Sequence, residues 1–310
     1  IPRRGTGCIK YDRRPELDPF WVADMDFVSA PCIVEALHRR IDHGVFGYAQ
    51  AHEGLNEAIL AYLESRRGAK VPLEHIVHLG GLVPALSLAA RAFCKAGESV
   101  MTCTPVYPPF LGVHHDAKVD LITVDHVMGP DGWTFDWETM EKTVSPSVKI
   151  FLLCNPHNPV GRAFSREELR ALADVCTAHD LVICSDEIHC GLVLDPDREH
   201  VPIAALDESI AERTITLMAA SKTFNVPGLA TAFAIVPNAG LRRRMHRVMR
   251  GIVHGAPGIG LKATLAAYRD CEPWRRALVD HRRGNRDRVV ERINAMPGLR
   301  VGSPDATYLA

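Results

Sequence analysis

Three short polar segments of the chain carry side chains that could do chemistry together. Lys222 lies in the stretch SKTFNVPG, among small and apolar residues that follow a short apolar run. Asp186 follows a similar run in the stretch SDEIH, and Asn158 stands between two prolines in NPHNPVG. A lysine in apolar surroundings must lose or use its charge, and forming an imine with an aldehyde removes it. A half-buried carboxylate in turn needs a cationic partner.

A metal site is the alternative use of the SDEIH segment, with Asp186, His189 and Cys190 as ligands. The neighbouring sequence offers no matching set of His or Cys residues at ligand spacing. The adjacent pair His114 and His115 is more typical of a protein surface than of a metal centre. The sequence therefore predicts no metal site.

A fourth segment, GGLVP at residues 80–84, has the pattern of a strand, a glycine turn and a helix. Glycines let the backbone approach a ligand closely, and a helix N-terminus offers free N–H groups to a phosphate. A plain strand-to-helix turn is the alternative, because the segment has neither the GxGxxG spacing nor a P-loop lysine. The missing fingerprint argues against a nicotinamide-dependent dehydrogenase.

Short apolar runs alternate with helical patterns and place these segments at the ends of strands. Strands are expected over residues 76–79, 99–103, 118–124, 149–153, 181–184, 214–218 and 232–236. Helices are expected over residues 84–96 and from the capping box at Ser165 to about His179. Strands separated by helices predict a mainly parallel sheet covered on both faces, with ligands at the carboxyl ends of its strands.

The last third of the chain has a different character. Arg-rich helical patterns cover residues 241–253 and 274–294, and the second is long enough to bridge to another domain. Residues 299–310 hold two strand-like pieces around a GSPD turn and stop before any closing helix, which predicts an unfinished second domain. The expected division is an N-terminal segment at 1–31 that contributes to the small domain and the active-site entrance, a large domain at 32–272, and an interdomain helix with the start of the small domain at 273–310.

Composition excludes several classes of protein. The 310 residues include 36 Lys and Arg against 37 Asp and Glu, a net charge of −1, which does not favour a nucleic-acid partner. No apolar run approaches the roughly 18 residues that a membrane helix requires. The nine cysteines are scattered singly without a CxxC pair, which favours reduced thiols in a soluble, cytoplasmic protein.

Together these segments resemble the pyridoxal-phosphate-dependent aminotransferase superfamily of fold type I, most closely its cystathionine β-lyase-like carbon–sulfur lyase branch. The resemblance rests on the ordered set NPHNPVG, SDEIH and SKTFN. It extends from RRGT at Arg3 and WVADMDF at Trp21, through Gly47 and Tyr48, to AAYRD at Ala266. It implies a three-layer α/β sandwich around a mostly parallel sheet, a smaller α+β domain, and pyridoxal 5′-phosphate as cofactor.

The resemblance also implies roles for individual residues. Lys222 would bind the cofactor covalently and later move the proton at the substrate Cα. Asp186 would pair with the pyridine nitrogen and keep the ring an electron sink. Asn158 would hydrogen-bond the cofactor's phenolic oxygen, with the substrate carboxylate as a further partner. Tyr107 would stack on the ring, with a packed loop aromatic as the alternative.

The same resemblance implies which residues would bind the cofactor's phosphate group. The backbone amides of Gly81 and Leu82 would bind it, with help from the Ser221 hydroxyl. Tyr48 resembles the tyrosine that reaches the phosphate of the neighbouring subunit, which implies a homodimer with active sites at its interface. His189 stands three residues after the aspartate, where typical aminotransferases have a tyrosine, and it counts among the cofactor-binding residues.

Departures from the aminotransferase pattern favour the lyase branch. Besides His189, Ala230 stands where typical aminotransferases place a phosphate-binding arginine. The family's arginine for the substrate carboxylate is expected beyond residue 310.

The leading expectation is β-elimination from L-cystathionine or a related S-substituted L-cysteine, giving a thiol, pyruvate and ammonia. The same residues would serve an aminotransferase, and decarboxylation is a further possible fate of the substrate. A regulatory or binding module that keeps the fold is the alternative of another class, although the intact set of Lys222, Asp186 and Asn158 argues against an inactive enzyme. The expected partners are a small amino-acid substrate and a second subunit, without nucleic acid or membrane.

Overall fold

The strands form one mixed, mostly parallel sheet. The computed structural model describes residues 1–68, 70–129, 132–253 and 255–309. Within them the strands are β1 (Ile76–Leu79), β2 (Ser99–Thr104), β3 (Asp120–Gly129), β4 (Gly132–Phe135), β5 (Val148–Cys154), β6 (Val182–Asp186), β7 (Thr214–Met218) and β8 (Ala232–Ile235). Their order across the sheet is β1-β8-β7-β6-β5-β2-β3-β4. Strands β7, β6, β5, β2 and β3 pair in parallel, whereas the pairs β1–β8, β7–β8 and β3–β4 are antiparallel.

Helices cover both faces of this sheet. They are α1 (Ile9–Asp12), α2 (Pro31–Asp42), α3 (Glu53–Arg67), α4 (Leu82–Phe93), α5 (Pro108–Ala117), α6 (Trp137–Thr143), α7 (Arg166–Ala178), α8 (Glu208–Ala211), α9 (Ala239–Met249), α10 (Gly258–Asp270) and α11 (Glu272–Asn294). Helices α4, α5 and α9 pack on one face of the sheet. Two hydrophobic cores lie on the opposite face, one with residues of α2, α3 and α10 and the other with residues of α7.

Strand β5 shows why the central strands are apolar throughout. Ile150 and Leu152 belong to the core under α4, while Phe151 and Leu153 belong to the core under α7. Because successive side chains of a strand point to opposite faces, a strand covered on both sides must be apolar at nearly every position. The predicted three-layer α/β sandwich is confirmed.

Most of the predicted strands are present, with ends shifted by a few residues. The predictions for β1 and β7 match their observed bounds, and the capping box at Ser165 begins α7. The two strand-like pieces expected over residues 299–310 are wrong for the described part, since residues 299–309 form only the isolated bridge Val193–Ala306. This segment pairs with two loops, through Ala306 N to Gly161 O and Thr307 N to Leu192 O, rather than with a strand. Residue 310 lies outside the described residues.

The expectation that all cysteines are reduced thiols is also corrected. A disulfide joins Cys32 of α2 to Cys271, which follows α10, across 239 residues of sequence. Helices α2 and α10 pack side by side, so the pairing comes from tertiary structure rather than from sequence spacing. Cys8, Cys94, Cys103, Cys154, Cys176 and Cys184 are free thiols. The predicted domain boundaries at residues 31/32 and 272/273 stay a prediction.

Candidate active site

Four adjacent parallel strands bring the predicted residues to one edge of the sheet. Asp186 is the last residue of β6, and Lys222 lies in the turn shortly after β7. Asn158 follows β5, and Tyr107 caps α5 shortly after β2. Because β2, β5, β6 and β7 are neighbours with a common direction, their carboxyl ends lie side by side. Crevices at this edge are where open α/β sheets bind ligands.

Lys222 lies opposite the N-terminal segment of the chain. Its Nζ donates a hydrogen bond of 2.6 Å to the backbone carbonyl of Ala23. Burial lowers the pKa of the amine, while the nearby carboxylates of Asp24 and Asp186 act in the opposite direction. A cavity of about 810 Å³ beside Lys222 is lined by the N-terminal segment and by Asn225. The amine is therefore both accessible to a ligand and easier to deprotonate than an ordinary lysine.

Asp186 is a buried carboxylate at the end of β6. Its side chain accepts the backbone N–H of Ile188 at 3.0 Å, and the residue is 5% exposed. Burial raises its pKa to about 7 and the charge of Glu187 adds to the rise, whereas the Ile188 hydrogen bond and Lys222 oppose it. A cation placed against this carboxylate would return it to the ionised form, which is what a protonated pyridine nitrogen provides.

His189 is buried next to this pair. Burial lowers the pKa of the imidazole to about 3, and the charge of Lys222 adds to the effect, so the ring is neutral. Its Nδ1 has no hydrogen-bond partner among the described residues. A buried polar atom without a partner in a native protein commonly marks a ligand or water position. The orphaned nitrogen therefore fits a site that binds a further polar group.

Tyr107 and Asn158 lie on the loops that follow β2 and β5. Tyr107 is half-buried, and burial together with the charge of Asp186 raises the pKa of its hydroxyl. The backbone N–H of Asn158 points to the Cys154 sulfur at 3.4 Å. The pKa of the Cys154 thiol is itself raised above its usual range, mainly by burial and also by Asp186. Tyr107 and Cys154, the last residue of β5, thus both lie within the electrostatic reach of Asp186.

The phosphate-binding prediction falls on the first turn of α4. Gly81 is its N-cap, and no side chain among the described residues caps it. Helices leave their first N–H groups without intrahelical partners, so those of Leu82 and its neighbours are available to an anion. Ser221 is partly buried in the turn that carries Lys222, and its carbonyl accepts the Val226 N–H at 2.9 Å. These residues suit a phosphate, and their binding role stays a prediction.

Tyr48 is not part of the site within one chain. It is fully exposed on the irregular segment between α2 and α3, where Val45 and Phe46 are exposed as well. Its predicted contact with the phosphate of a neighbouring subunit therefore stays a prediction.

Sequence reasoning missed Tyr308. Its hydroxyl donates to the Ala23 carbonyl at 3.0 Å, the same oxygen that accepts the Lys222 amine. Its ring centroid is 6.0 Å from that of His189, nearly perpendicular to it. Tyr308 and Ala23 are 285 residues apart. No local sequence signal could have indicated this contact.

Asn225 is a second residue that sequence reasoning passed over. Its side chain accepts the N–H of Met25 and donates to the carbonyls of Met25 and Phe27, at 2.9, 3.0 and 3.0 Å. Asp24, in the same segment, also pairs with the guanidinium of Arg3 at 2.7 Å. Asn225 therefore holds the segment opposite Lys222 in place, and the SKTFN motif was the signal that could have marked it.

Comparison with known proteins places the chain in a family. The family model described as aminotransferase class I and II matches residues 22–310. The chain belongs to this family. Cystathionine β-lyase PatB of Bacillus subtilis (strain 168) is 36% identical over 99% of the chain, which spans 81% of PatB. The predicted family resemblance is thereby confirmed.

Solved structures agree with this assignment. The crystal structure of OvoB superposes with a TM-score of 0.96 at 39% identity, covering 99% of this chain and 82% of OvoB. Cystalysin from Treponema denticola, whose structure contains pyridoxal 5′-phosphate, superposes with a TM-score of 0.94 at 30% identity, covering 99% and 81% of the two chains. Among the described residues, no helix has the length and apolar character needed to span a membrane.

Proposed function

We propose that the protein is a carbon–sulfur β-lyase that cleaves L-cystathionine or a related S-substituted L-cysteine to a thiol, pyruvate and ammonia. The observation that carries the proposal is the position of Lys222 and Asp186 at the carboxyl ends of the neighbouring strands β7 and β6, where burial lowers the pKa of the lysine and raises that of the carboxyl group. Such a pair suits proton abstraction next to an amino acid's carboxylate. PatB, by name a cystathionine β-lyase, supports this choice of reaction.

Pyridoxal 5′-phosphate is the cofactor, as the sequence predicted. The buried Asp186 carboxylate and the orphaned His189 nitrogen fit its ring, and the uncapped first turn of α4 fits its phosphate. When bound, the cofactor supplies an electron sink for the charge that develops at the substrate Cα. We assign Lys222, Asp186, Asn158, Tyr107 and His189 to its ring, and Gly81, Leu82 and Ser221 to its phosphate.

The residues of the chain divide the work as follows. The Lys222 amine takes the Cα proton, because burial favours its neutral form. Asp186 holds a proton on the pyridine nitrogen by ionic pairing, and the Ile188 N–H helps to keep the carboxylate ionised. The Ala23 carbonyl holds the lysine amine at the edge of the cavity. A thiolate leaves readily, so no further strong acid is required.

His189 and Ala230 support the lyase over an ordinary aminotransferase. His189 replaces a tyrosine and is held neutral by burial, and Ala230 replaces a phosphate-binding arginine. We further propose a homodimer in which Tyr48 completes the neighbouring site, and a cytoplasmic location. The exposed Val45 and Phe46 beside Tyr48 support the first of these proposals.

The test is product analysis of the purified holoenzyme with L-cystathionine and no keto acid. Sustained release of homocysteine, pyruvate and ammonia in equal amounts is the expected result. One stoichiometric turnover that then stops would show an aminotransferase instead, and release of carbon dioxide would show a decarboxylase. The Lys222→Ala variant should release no pyruvate. If that variant retains the biological effect, the protein acts as a regulatory or binding module.

A further inference from the structure

A buried histidine lies between the two loops that carry Tyr107 and Asn158. We call residues 105–107 the tyrosine loop and residues 155–158 the asparagine loop. His157 is 2% exposed, and its Nε2 lies 2.8 Å from the carbonyl oxygen of Pro105. Its Nδ1 lies 3.1 Å from the carbonyl oxygen of Cys154. The first contact joins loops 52 residues apart in sequence, whereas the second stays within the turn of His157 itself.

Two backbone hydrogen bonds hold the main chain of His157 in place. Its N–H donates to the Arg162 carbonyl at 2.6 Å, and its own carbonyl accepts the Gly161 N–H at 2.8 Å. The paired register of β2 and β5 ends at Thr102 and Leu152, before either loop begins. The ring of His157 therefore continues the connection between the two chain segments past the last strand pair. Tyr107 follows Pro105 by two residues, and Asn158 follows His157 directly.

Aromatic neighbours fix the plane of the His157 ring. His126 meets it edge-on at a centroid distance of 4.6 Å, and Phe164 lies 5.7 Å away. His126 is itself held, because its Nδ1 pairs with the Thr134 carbonyl at 3.1 Å. The ring therefore cannot turn away from Pro105 without displacing its packed neighbours.

Only one of the two carbonyl contacts can be a hydrogen bond of the neutral ring. Carbonyl oxygens accept and do not donate, so each contact requires a proton on the histidine nitrogen. Burial lowers the pKa of His157, although both carbonyls act in the opposite direction, and the ring is neutral. With the single proton on Nε2, the ring donates across the shorter of the two contacts, to Pro105.

We propose that His157 is a positioning residue for the cofactor: its Nε2–H, donated to the Pro105 carbonyl, sets the spacing between the Tyr107 ring and the Asn158 amide. The inference deepens the proposed function and rests on it, because it takes both side chains to contact pyridoxal 5′-phosphate. His157 itself acts through the two loops, and its loss would widen the gap in which the cofactor ring is held.

Two substitutions separate the bridging contact from the local one. His157→Gln places an amide nitrogen at about the reach of Nε2 and can still donate to Pro105. His157→Asn reaches only about as far as Nδ1 and keeps the contact within the turn. We expect His157→Asn to raise the dissociation constant of pyridoxal phosphate about tenfold, as for the loss of one buried hydrogen bond, and His157→Gln to stay within about threefold of the wild type. Equilibrium dialysis of the apoprotein measures both constants.

A double-mutant cycle with Tyr107→Leu tests whether His157 affects cofactor binding through the tyrosine loop. If His157 acts through the tyrosine loop, His157→Asn should weaken cofactor binding much less in the Tyr107→Leu background than in the wild type. The induced circular dichroism of the bound cofactor should change with His157→Asn and be retained with His157→Gln. His78→Asn is the matched control, since His78 also joins two elements through Nε2, to Asn56 at 3.0 Å; it should leave cofactor affinity unchanged.

Three results would overturn the inference. They are unchanged affinity in both His157 variants, equal loss in both, and full additivity with Tyr107→Leu. Failure of the proposed site looks different: Tyr107→Leu and Asn158→Ala would then leave the affinity of the wild-type background unchanged. Failure of the lyase reaction alone would appear only in the products and not in cofactor binding.

Discussion

At the scale of single residues, the site depends on charges held away from water. Asp186 and His189 are three residues apart, and burial leaves about half of the Asp186 carboxyl protonated at pH 7 and keeps the His189 ring neutral. The state of Asp186 is unusual, because a carboxyl group in water ionises near pH 4. The fold therefore maintains a buried carboxyl group that is unfavourable for the apoprotein, and in the proposed site the cofactor's cationic ring would relieve this cost.

The pH dependence of apoprotein stability follows from Asp186. Its pKa is 3.8 ordinarily and about 7 when folded, so the folded state binds more protons between these values. The free energy of unfolding should therefore fall as pH rises through this window, by about 2 kcal/mol from pH 5 to pH 7. Asp186→Asn keeps the Ile188 hydrogen bond and should remove this slope. Urea unfolding of both apoproteins at the two pH values measures it.

Asp174→Asn, at an exposed position of α7, is the control and should retain the wild-type slope. Asp186→Asn should stabilise the apoprotein near pH 8 and yet weaken binding of pyridoxal phosphate. A wild-type slope in Asp186→Asn would show that another group causes the pH dependence. Loss of stability in this variant at pH 8 would contradict the burial of an uncompensated carboxylate.

At the scale of elements, the N-terminal segment opposite Lys222 is held by one side chain. Asn225 makes three hydrogen bonds to the backbone of Met25 and Phe27. Asn225→Ala should lower the free energy of unfolding by about 2–3 kcal/mol, and kcat/KM about tenfold or more, because Ala23 is no longer held against the lysine. Thermal unfolding and pyruvate release measure the two effects.

Asn238→Ala is the matched control for Asn225→Ala. Asn238 caps α9 through two hydrogen bonds to backbone N–H groups, at 2.7 and 3.1 Å. Its loss should lower the free energy of unfolding by about 1 kcal/mol and leave kcat/KM unchanged. If both variants lose activity only in proportion to stability, the segment has no positioning role.

Elements also show what could be predicted from the sequence. The capping box at Ser165 and the apolar run of β7 are local signals, so the start of α7 and the bounds of β7 match. The segment at 299–309 looks extended because of its composition, but its backbone partners are loops far away in the sequence. Pattern alone cannot identify such partners, and for the same reason Tyr308 was missed although Lys222 and Asp186 were found.

At the scale of the whole molecule, the contacts hardest to predict join distant parts of the chain. The Cys32–Cys271 disulfide ties the start of α2 to the end of α10. Asp305 lies within 3.4 Å of both Arg162 and Arg198, which holds the last described residues against the loops that follow β5 and β6. Tyr48 takes part in neither link and is fully exposed.

An active site built from two subunits predicts that two inactive variants can restore activity when they are combined in one dimer. If Tyr48 binds the phosphate in the neighbouring subunit, Tyr48→Ala and Lys222→Ala homodimers should each lose most of their pyruvate release. Mixed dimers of the two variants contain one site with both lesions and one site with neither, so a random mixture should recover up to about a quarter of wild-type activity. Subunits exchanged by mild unfolding and refolding, and assayed for pyruvate, give the measurement. A mixture no more active than its parents would place Tyr48 outside the partner's site, whereas full activity of Tyr48→Ala alone would remove it from the catalytic machinery.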